Sequence, residues 1–249
     1  MEYNYYILSY NGIETLYRMR KGKIHGNSET LEAFYNGTWN FEEKPIKMFM
    51  NKYVTGWLNE EDAMNYETAI ALLSKKITDA KSFAIEKHNN QKYGIFPYEV
   101  HLLNVITVLL RNNILPNTED NIDLWIGAWL HDILEDTNTT KQELVDKFGI
   151  NIYEIVWSLT DGKNGNRYEK KQLMYKKLIH NQNGIIVKLA DRISNIEFSV
   201  ICNNREKVQK YISENDELNK QLKNIVTNGN GKFLLDYLNK LVMNLAIIK

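Results

Sequence analysis

The stretch that most constrains this chain is "NIDLWIGAWLHDILEDT", residues 121–137. Ile122, Trp125, Ile126, Trp129 and Ile133 recur at the i, i+3, i+4 spacing of a helix that buries one stripe against neighbouring helices. Beside that stripe stand His131, Asp132, Glu135 and Asp136, three and four residues apart. The spacing predicts one helix over 122–136 with all four groups crowded into one sector. A face turned only to water has no need of that crowding next to its most apolar stretch.

Helical periodicity extends from about Tyr66 to the end. "ETAIALLSKKITDAKSFAIEKH" places Ile70, Leu73, Ile77, Ala80, Ala84 and His88 on one stripe, and "EVHLLNVITVLLRNN" follows a loop around Pro97. "TKQE" (140–143) reads as a capping box opening a helix that ends at Gly149. "NIYEIVWSLT" is a helix, "DGKNGNR" a turn or mobile loop, and "GIIVKLADRISNIEF" another apolar-striped helix, with two or more helices after it. The first 65 residues differ: two β-prone runs, "YYILSY" and "IETLYRMR", flank Asn11-Gly12, a strong hairpin signal. The expected architecture is mainly α, a helical bundle over 66–249 preceded by a small β-containing (α+β) unit over 1–65.

With 249 residues the chain can build one sizeable core plus an appendage. Lys+Arg and Asp+Glu both number 31, which removes the broad electrostatic case for nucleic acid as an obligate partner. A single cysteine, Cys202, excludes an intramolecular disulfide framework and a cysteine-rich zinc site, and fits a reducing cytoplasm. "MEYNYYILSY" lacks the basic and apolar regions of a signal peptide. No run of about 18 apolar residues is present, so no membrane span is expected. Self-association stays open.

Candidate metal ligands lie on three segments: His101, His131 with Asp132, and Asp191. Two imidazoles and two carboxylates suit Mn, Fe, Co or Ni better than a thiolate zinc site does. Such an ion, held by four protein groups, keeps positions for water and a phosphate oxygen, lowers the pKa of the water and polarises a phosphoryl group. Glu135 and Asp136 lie one turn along from two of these ligands, where a general acid or base is useful. Their other reading is a pair of solvated helix-end carboxylates, which the helix dipole disfavours at that end. His88, on an apolar stripe, reads as a satisfied core histidine or one supporting a ligand from behind, rather than as a ligand. His25 and His180 read as surface residues, Trp125 and Trp129 as core. Lys163, Arg167, Lys170 and Lys171 form either an anion-gathering flank or a solvated loop.

"HD" at 131–132 with a distant Asp191 resembles the HD phosphohydrolase superfamily. "WLHDILEDT", "FPYEVH" (96–101) and "VKLADRISN" (187–195), with "KHNNQ" (87–91), "FG" (148–149) and "SLTDGK" (158–163), more narrowly resemble the hydrolase domain of Rel/SpoT-type alarmone enzymes and their small stand-alone relatives. The resemblance covers roughly residues 76 to 240 and leaves the N-terminal unit outside. It implies an HD-domain bundle that uses Mn²⁺ to remove the 3′-pyrophosphate of (p)ppGpp. Its implied ligands are His101, His131, Asp132 and Asp191, with Glu135 and Asp136 as the catalytic acidic pair and Asn195 facing substrate or water. Where the family has "HxGQ" followed by "xRKSGxPY", this chain has "HNNQKYGIFPY", with Tyr93 at the arginine's place and Lys92 the basic residue that remains. The usual proline after the histidine is replaced by Leu102. The nucleotide is therefore expected to meet Lys92, Tyr93, Asn195, Lys163 and Arg167, with the base stacked on Tyr93 and Phe96 rather than read at its edge. Two other readings are a different HD nucleotide phosphatase or phosphodiesterase, and a nucleotide-binding regulator without turnover.

Overall fold

A computed structural model of the chain describes residues 3–10, 13–20, 31–35, 38–40, 65–162 and 165–247. The helical part comprises α1 (Tyr66–His88), α2 (Glu99–Arg111), α3 (Glu119–Leu130), α4 (Ile133–Asp136), α5 (Lys141–Phe148), α6 (Ile150–Leu159), α7 (Arg167–Leu178), α8 (Gln182–Ile201), α9 (Arg205–Leu222) and α10 (Gly229–Ile247). The fold is mainly α, as the periodicity predicts.

Helix α8 organises the bundle, packing against α2, α3, α6, α9 and α10. The sequence predicts an apolar stripe on it, but Gly184 to Val187 are four consecutive buried residues, followed by Leu189, Ala190, Ile193 and Ile196. A helix enclosed by neighbours is apolar around most of its circumference. Helix α1 buries Ala80, Phe83, Ala84 and His88 and packs on α3. Trp129 is core, while Trp125 is partly buried and donates its indole N–H to the Ile114 carbonyl at 2.7 Å. Close approach of α3 to α6 depends on Gly127, where a Cβ would lie 2.5 Å from Ile155 Cγ2.

One continuous helix over 122–136 is not what forms. α3 ends at Leu130, His131 and Asp132 make a turn, and α4 restarts at Ile133. Asp132 has ψ near 0°, and its side chain makes no capping bond to α4; it reaches Tyr98 and the imidazoles instead. Adjacent residues on a continuous helix point about 100° apart. The break lets both side chains of the dipeptide face one point.

Two caps also differ from expectation. Thr140 caps α5 by accepting from the Glu143 N–H at 3.2 Å, but Glu143 turns away to Lys87 at 2.8 Å, so the reciprocal half of the "TKQE" box is not made. The complete box is "NRYE": Asn166 accepts from the Glu169 N–H, and Glu169 accepts from the Asn166 N–H.

The N-terminal strands β1 (Tyr3–Tyr10), β2 (Ile13–Arg20), β3 (Leu31–Tyr35) and β4 (Thr38–Asn40) pair antiparallel in sequence order. Tyr10 opposes Ile13, the register of a two-residue hairpin, although Asn11 and Gly12 lie outside the described residues. Tyr6, Tyr17 and Leu31 are buried, and β1 and β2 contact α1 and α5. A second ribbon, β5 (Lys92–Tyr93) with β6 (Phe96–Pro97), links α1 to α2. Its loop has a positive φ at Gly94 but not at Ile95, as a type II′ turn requires.

Candidate metal centre

Four side chains from three segments converge. His101 stands on the first turn of α2, His131 and Asp132 at the α3–α4 break, and Asp191 mid-way along α8. The two imidazole Nε2 atoms are 3.1 Å apart. Asp132 Oδ2 lies 3.0 Å from His131 Nε2 and 3.4 Å from His101 Nε2. Asp191 Oδ1 lies 3.5 Å from His101 Nε2 and 3.9 Å from His131 Nε2. Ligands about 2.1 Å from one octahedral ion stand about 3 Å apart when adjacent and about 4 Å when opposite. His101, His131 and Asp191 could hold a single divalent cation, with Asp132 beside both imidazoles.

The surroundings prepare the donors. His131 Nδ1–H donates to the Ala128 carbonyl at 2.8 Å, which leaves Nε2 to face the centre. The Tyr98 hydroxyl donates to Asp132. Lys188 Nζ donates to Asp191 Oδ2 at 3.3 Å while Asp191 Oδ1 faces the histidines, so Asp191 is both an ion-pair partner and part of the cluster. Burial disfavours the His131 cation, yet Asp132, Asp191 and the Ala128 carbonyl push it up to about 9. Burial likewise disfavours the Asp132 anion, but His131 and His101 hold it well below the usual carboxylate range.

The acidic pair flanks this centre. Glu135 accepts from the Asp161 N–H at 3.1 Å, and burial pushes its carboxyl above the ordinary range against that hydrogen bond. Asp136 Oδ2 accepts from Gln91 Nε2 at 2.7 Å.

The residues expected to hold nucleotide are dispersed. Lys92 is exposed. Tyr93 is not a free stacking platform: its ring lies 4.2 Å from that of Phe198 and 4.8 Å from that of His101, and its hydroxyl donates to Asn195 Oδ1 at 2.8 Å. Phe96, 40% exposed, is the more accessible ring of that ribbon. Asn195 does not simply face an open pocket. One turn along α8 from Asp191, it donates to Asp191 Oδ1 at 2.5 Å and so braces the carboxylate against Tyr93. Arg167 pairs with Glu214 at 3.0 Å, and the same carboxylate takes Lys171 at 2.7 Å and Arg192 at 2.8 Å, which brings Glu214 to about 2 despite its burial. Lys163 lies outside the described residues. His88 is buried and outside the donor cluster, and His180 is exposed.

Spacing alone misses Tyr98, Gln91 and Glu214. Tyr98, three residues before His101 at the start of α2, carried a readable signal. Glu214, on α9, reaches its partners only through tertiary packing.

No protein-family model matches the chain. MESH1 of Xenopus tropicalis, a guanosine-3′,5′-bis(diphosphate) 3′-pyrophosphohydrolase, is 33% identical over 155 residues, 59% of this chain and 84% of that protein. The chain belongs to the MESH1-type pyrophosphohydrolase family. Human MESH1, of the same name, is 30% identical over 144 residues, 55% of this chain and 78% of its own length. A pyrophosphohydrolase of Aquifex aeolicus is 35% identical over 145 residues, and the match spans only 20% of that longer protein. A solved structure of a metazoan ortholog of SpoT, described as hydrolyzing ppGpp, has a TM-score of 0.55 at 24% identity and covers 67% of this chain and 94% of that one. That likeness shows a shared fold.

Proposed function

We propose that the chain is a metal-dependent phosphohydrolase that removes the 3′-pyrophosphate of (p)ppGpp or a close relative, acting in the cytoplasm with Mn²⁺. The observation that carries this reading is the grouping of His101, His131 and Asp191, with Asp132 against both imidazoles, in a member of a family named for that reaction. A divalent ion held there supplies Lewis acidity and a water of lowered pKa. The chain's own groups do the rest. Ala128 and Tyr98 fix the orientation of His131 and Asp132, and Lys188 with Asn195 fixes Asp191. Glu135 and Asp136 handle protons: one is taken from the attacking water, and one is delivered to the 3′-oxygen as pyrophosphate leaves and the 5′-diphosphate product remains. Burial raises the Glu135 carboxyl above its ordinary range, which favours its holding a proton.

Substrate enters beside the β5–β6 ribbon, where Lys92 and Phe96 are exposed, and the Arg167 flank gathers phosphate charge, its three cations Arg167, Lys171 and Arg192 sharing the one Glu214 carboxylate. The catalytic unit is residues 66–249, with 1–65 an appended unit. Full-length protein should release pyrophosphate from ppGpp with Mn²⁺, lose that activity to a chelator and regain it on Mn²⁺ addition. Turnover of ordinary nucleotides but not of ppGpp overturns the substrate, and chelator-resistant turnover overturns the metal.

A further inference from the structure

A chain of side chains runs from the end of α1 to the acidic pair. His88, the last residue of α1, is 4% exposed, and its Nδ1 lies 2.8 Å from Gln91 Oε1. Gln91 Nε2 in turn donates to Asp136 Oδ2 at 2.7 Å. The directions are fixed by chemistry. An ionised carboxylate only accepts, so the amide nitrogen faces Asp136 and the amide oxygen faces His88. That oxygen only accepts, so His88 carries its proton on Nδ1. His88 Nε2 is buried without a hydrogen-bond partner. Orphaned buried N–H groups are rarer than under-satisfied acceptors, and burial lowers the pKa of the imidazole, which favours the neutral ring. The ring itself stacks on Tyr98 at 4.4 Å, with 22° between the planes, and Tyr98 donates to Asp132.

We propose that His88 and Gln91 are positioning residues for Asp136, a two-step relay that aims one carboxylate oxygen at Gln91 and leaves the other for the reacting groups. The inference rests on the acid–base role given to Asp136 above. His88 serves both sides of the site at once. Its edge orients Gln91 and so Asp136, and its face supports Tyr98 and so Asp132. Neither residue belongs to the donor cluster. Their backbones are joined as well, because the Gln91 N–H donates to the His88 carbonyl at 2.7 Å and the Gln91 carbonyl accepts from Tyr98 N–H at 3.1 Å. The amide is thereby held where the relay needs it.

The test uses full-length protein and isosteres that separate the two ring nitrogens. An Asn side-chain nitrogen falls near the place of histidine Nδ1, and a Gln nitrogen near that of Nε2. Gln91→Ala and His88→Ala should lower kcat about tenfold to hundredfold, the scale of a misplaced reacting group, with KM and Mn²⁺ affinity nearly unchanged. His88→Asn should recover most of the lost kcat and His88→Gln should not. Independently of turnover, long-range ¹H–¹⁵N spectra of the metal-free protein should show His88 as the Nδ1–H tautomer, lost in Gln91→Ala. Wild-type kcat in Gln91→Ala, equal rescue by Asn and Gln, or an Nε2–H tautomer overturns the relay. Asp136→Asn run alongside isolates the underlying reading: if that variant keeps full activity, the acid–base role is wrong, whatever the tautomer shows.

Discussion

His101 and His131 face each other through their Nε2 atoms at 3.1 Å, with the Asp132 carboxylate within 3.4 Å of both. Two facing lone pairs repel, so the arrangement favours a positive charge at the centre. In the metal-free protein a proton on His131 meets that demand, and its pKa stands at about 9. Metal binding must displace this proton. Affinity for Mn²⁺ should therefore rise with pH and level off above about 9. Calorimetry in buffers of differing ionisation enthalpy counts the proton released. Affinity that does not change across this range would remove His131 from the ligand set.

The same raised value sets a sign for stability without metal. Its contribution is fully present below the unfolded histidine's 6.5 and is lost as pH rises through about 9. Saturating Mn²⁺ should abolish this loss and, at a hundredfold excess over Kd, add about 2.7 kcal/mol. Thermal melts at several pH values, with and without Mn²⁺, measure both effects.

Glu135 and Asp136 are held from opposite sides, by Asp161 and by Gln91. Glu135→Gln and Asp136→Asn should keep Mn²⁺ and lower kcat by roughly 10²–10⁴-fold. Metal titration and steady-state kinetics on the same preparations separate the two effects. Near-normal turnover in both variants would return the pair to a solvated face.

Tyr93 and Phe96 should divide their roles. Tyr93 braces Asn195 and thereby Asp191, so Tyr93→Phe should weaken Mn²⁺ binding more than it changes KM. Phe96 is the exposed ring, so Phe96→Ala should cost ppGpp and ppApp alike about 1–3 kcal/mol of binding. The ratio of kcat/KM for the two nucleotides decides it: a changed ratio would mean that Phe96 takes part in reading the base.

Gly127→Ala should destabilise the fold. The added methyl collides with Ile155, and overpacking of about 1–3 kcal/mol outweighs the gain of up to about 1 kcal/mol in helix propensity. Denaturant melts measure the difference, and unchanged or greater stability would show that α3 and α6 can move apart freely.

The periodicity of α1, α2 and α3 was readable in the sequence because burial constrains local pattern, and the residues at 101, 131, 132 and 191 stood out by type and spacing before the fold brought them together. The break at His131–Asp132 was not, since Asp132 forgoes helix capping for partners, Tyr98 and His101, that lie far off in the chain. Helix α8 read as striped because sequence shows that residues are apolar, not how many neighbours enclose them. The pairing of Arg167 with Glu214 was not readable either, because the two lie 47 residues apart. Nothing local to Arg167 names that partner.

The β5–β6 ribbon has a consequence for how this site can diverge. Between Gln91 and Tyr98, Lys92 opposes Pro97 and Tyr93 opposes Phe96 around a two-residue turn. Strand side chains alternate faces, so inserting one residue would send Tyr93 or Phe96 to the opposite side. It would also shift Tyr98 relative to His88 and move the support beneath Asp132. Loop length here decides which side chains the ribbon presents. The family pattern "xRKSGxPY" is one residue longer between its glutamine and proline than "KYGIFPY", so a change of length in this ribbon alters the faces taken by the residues at 92, 93 and 96, and with them the contacts offered to substrate.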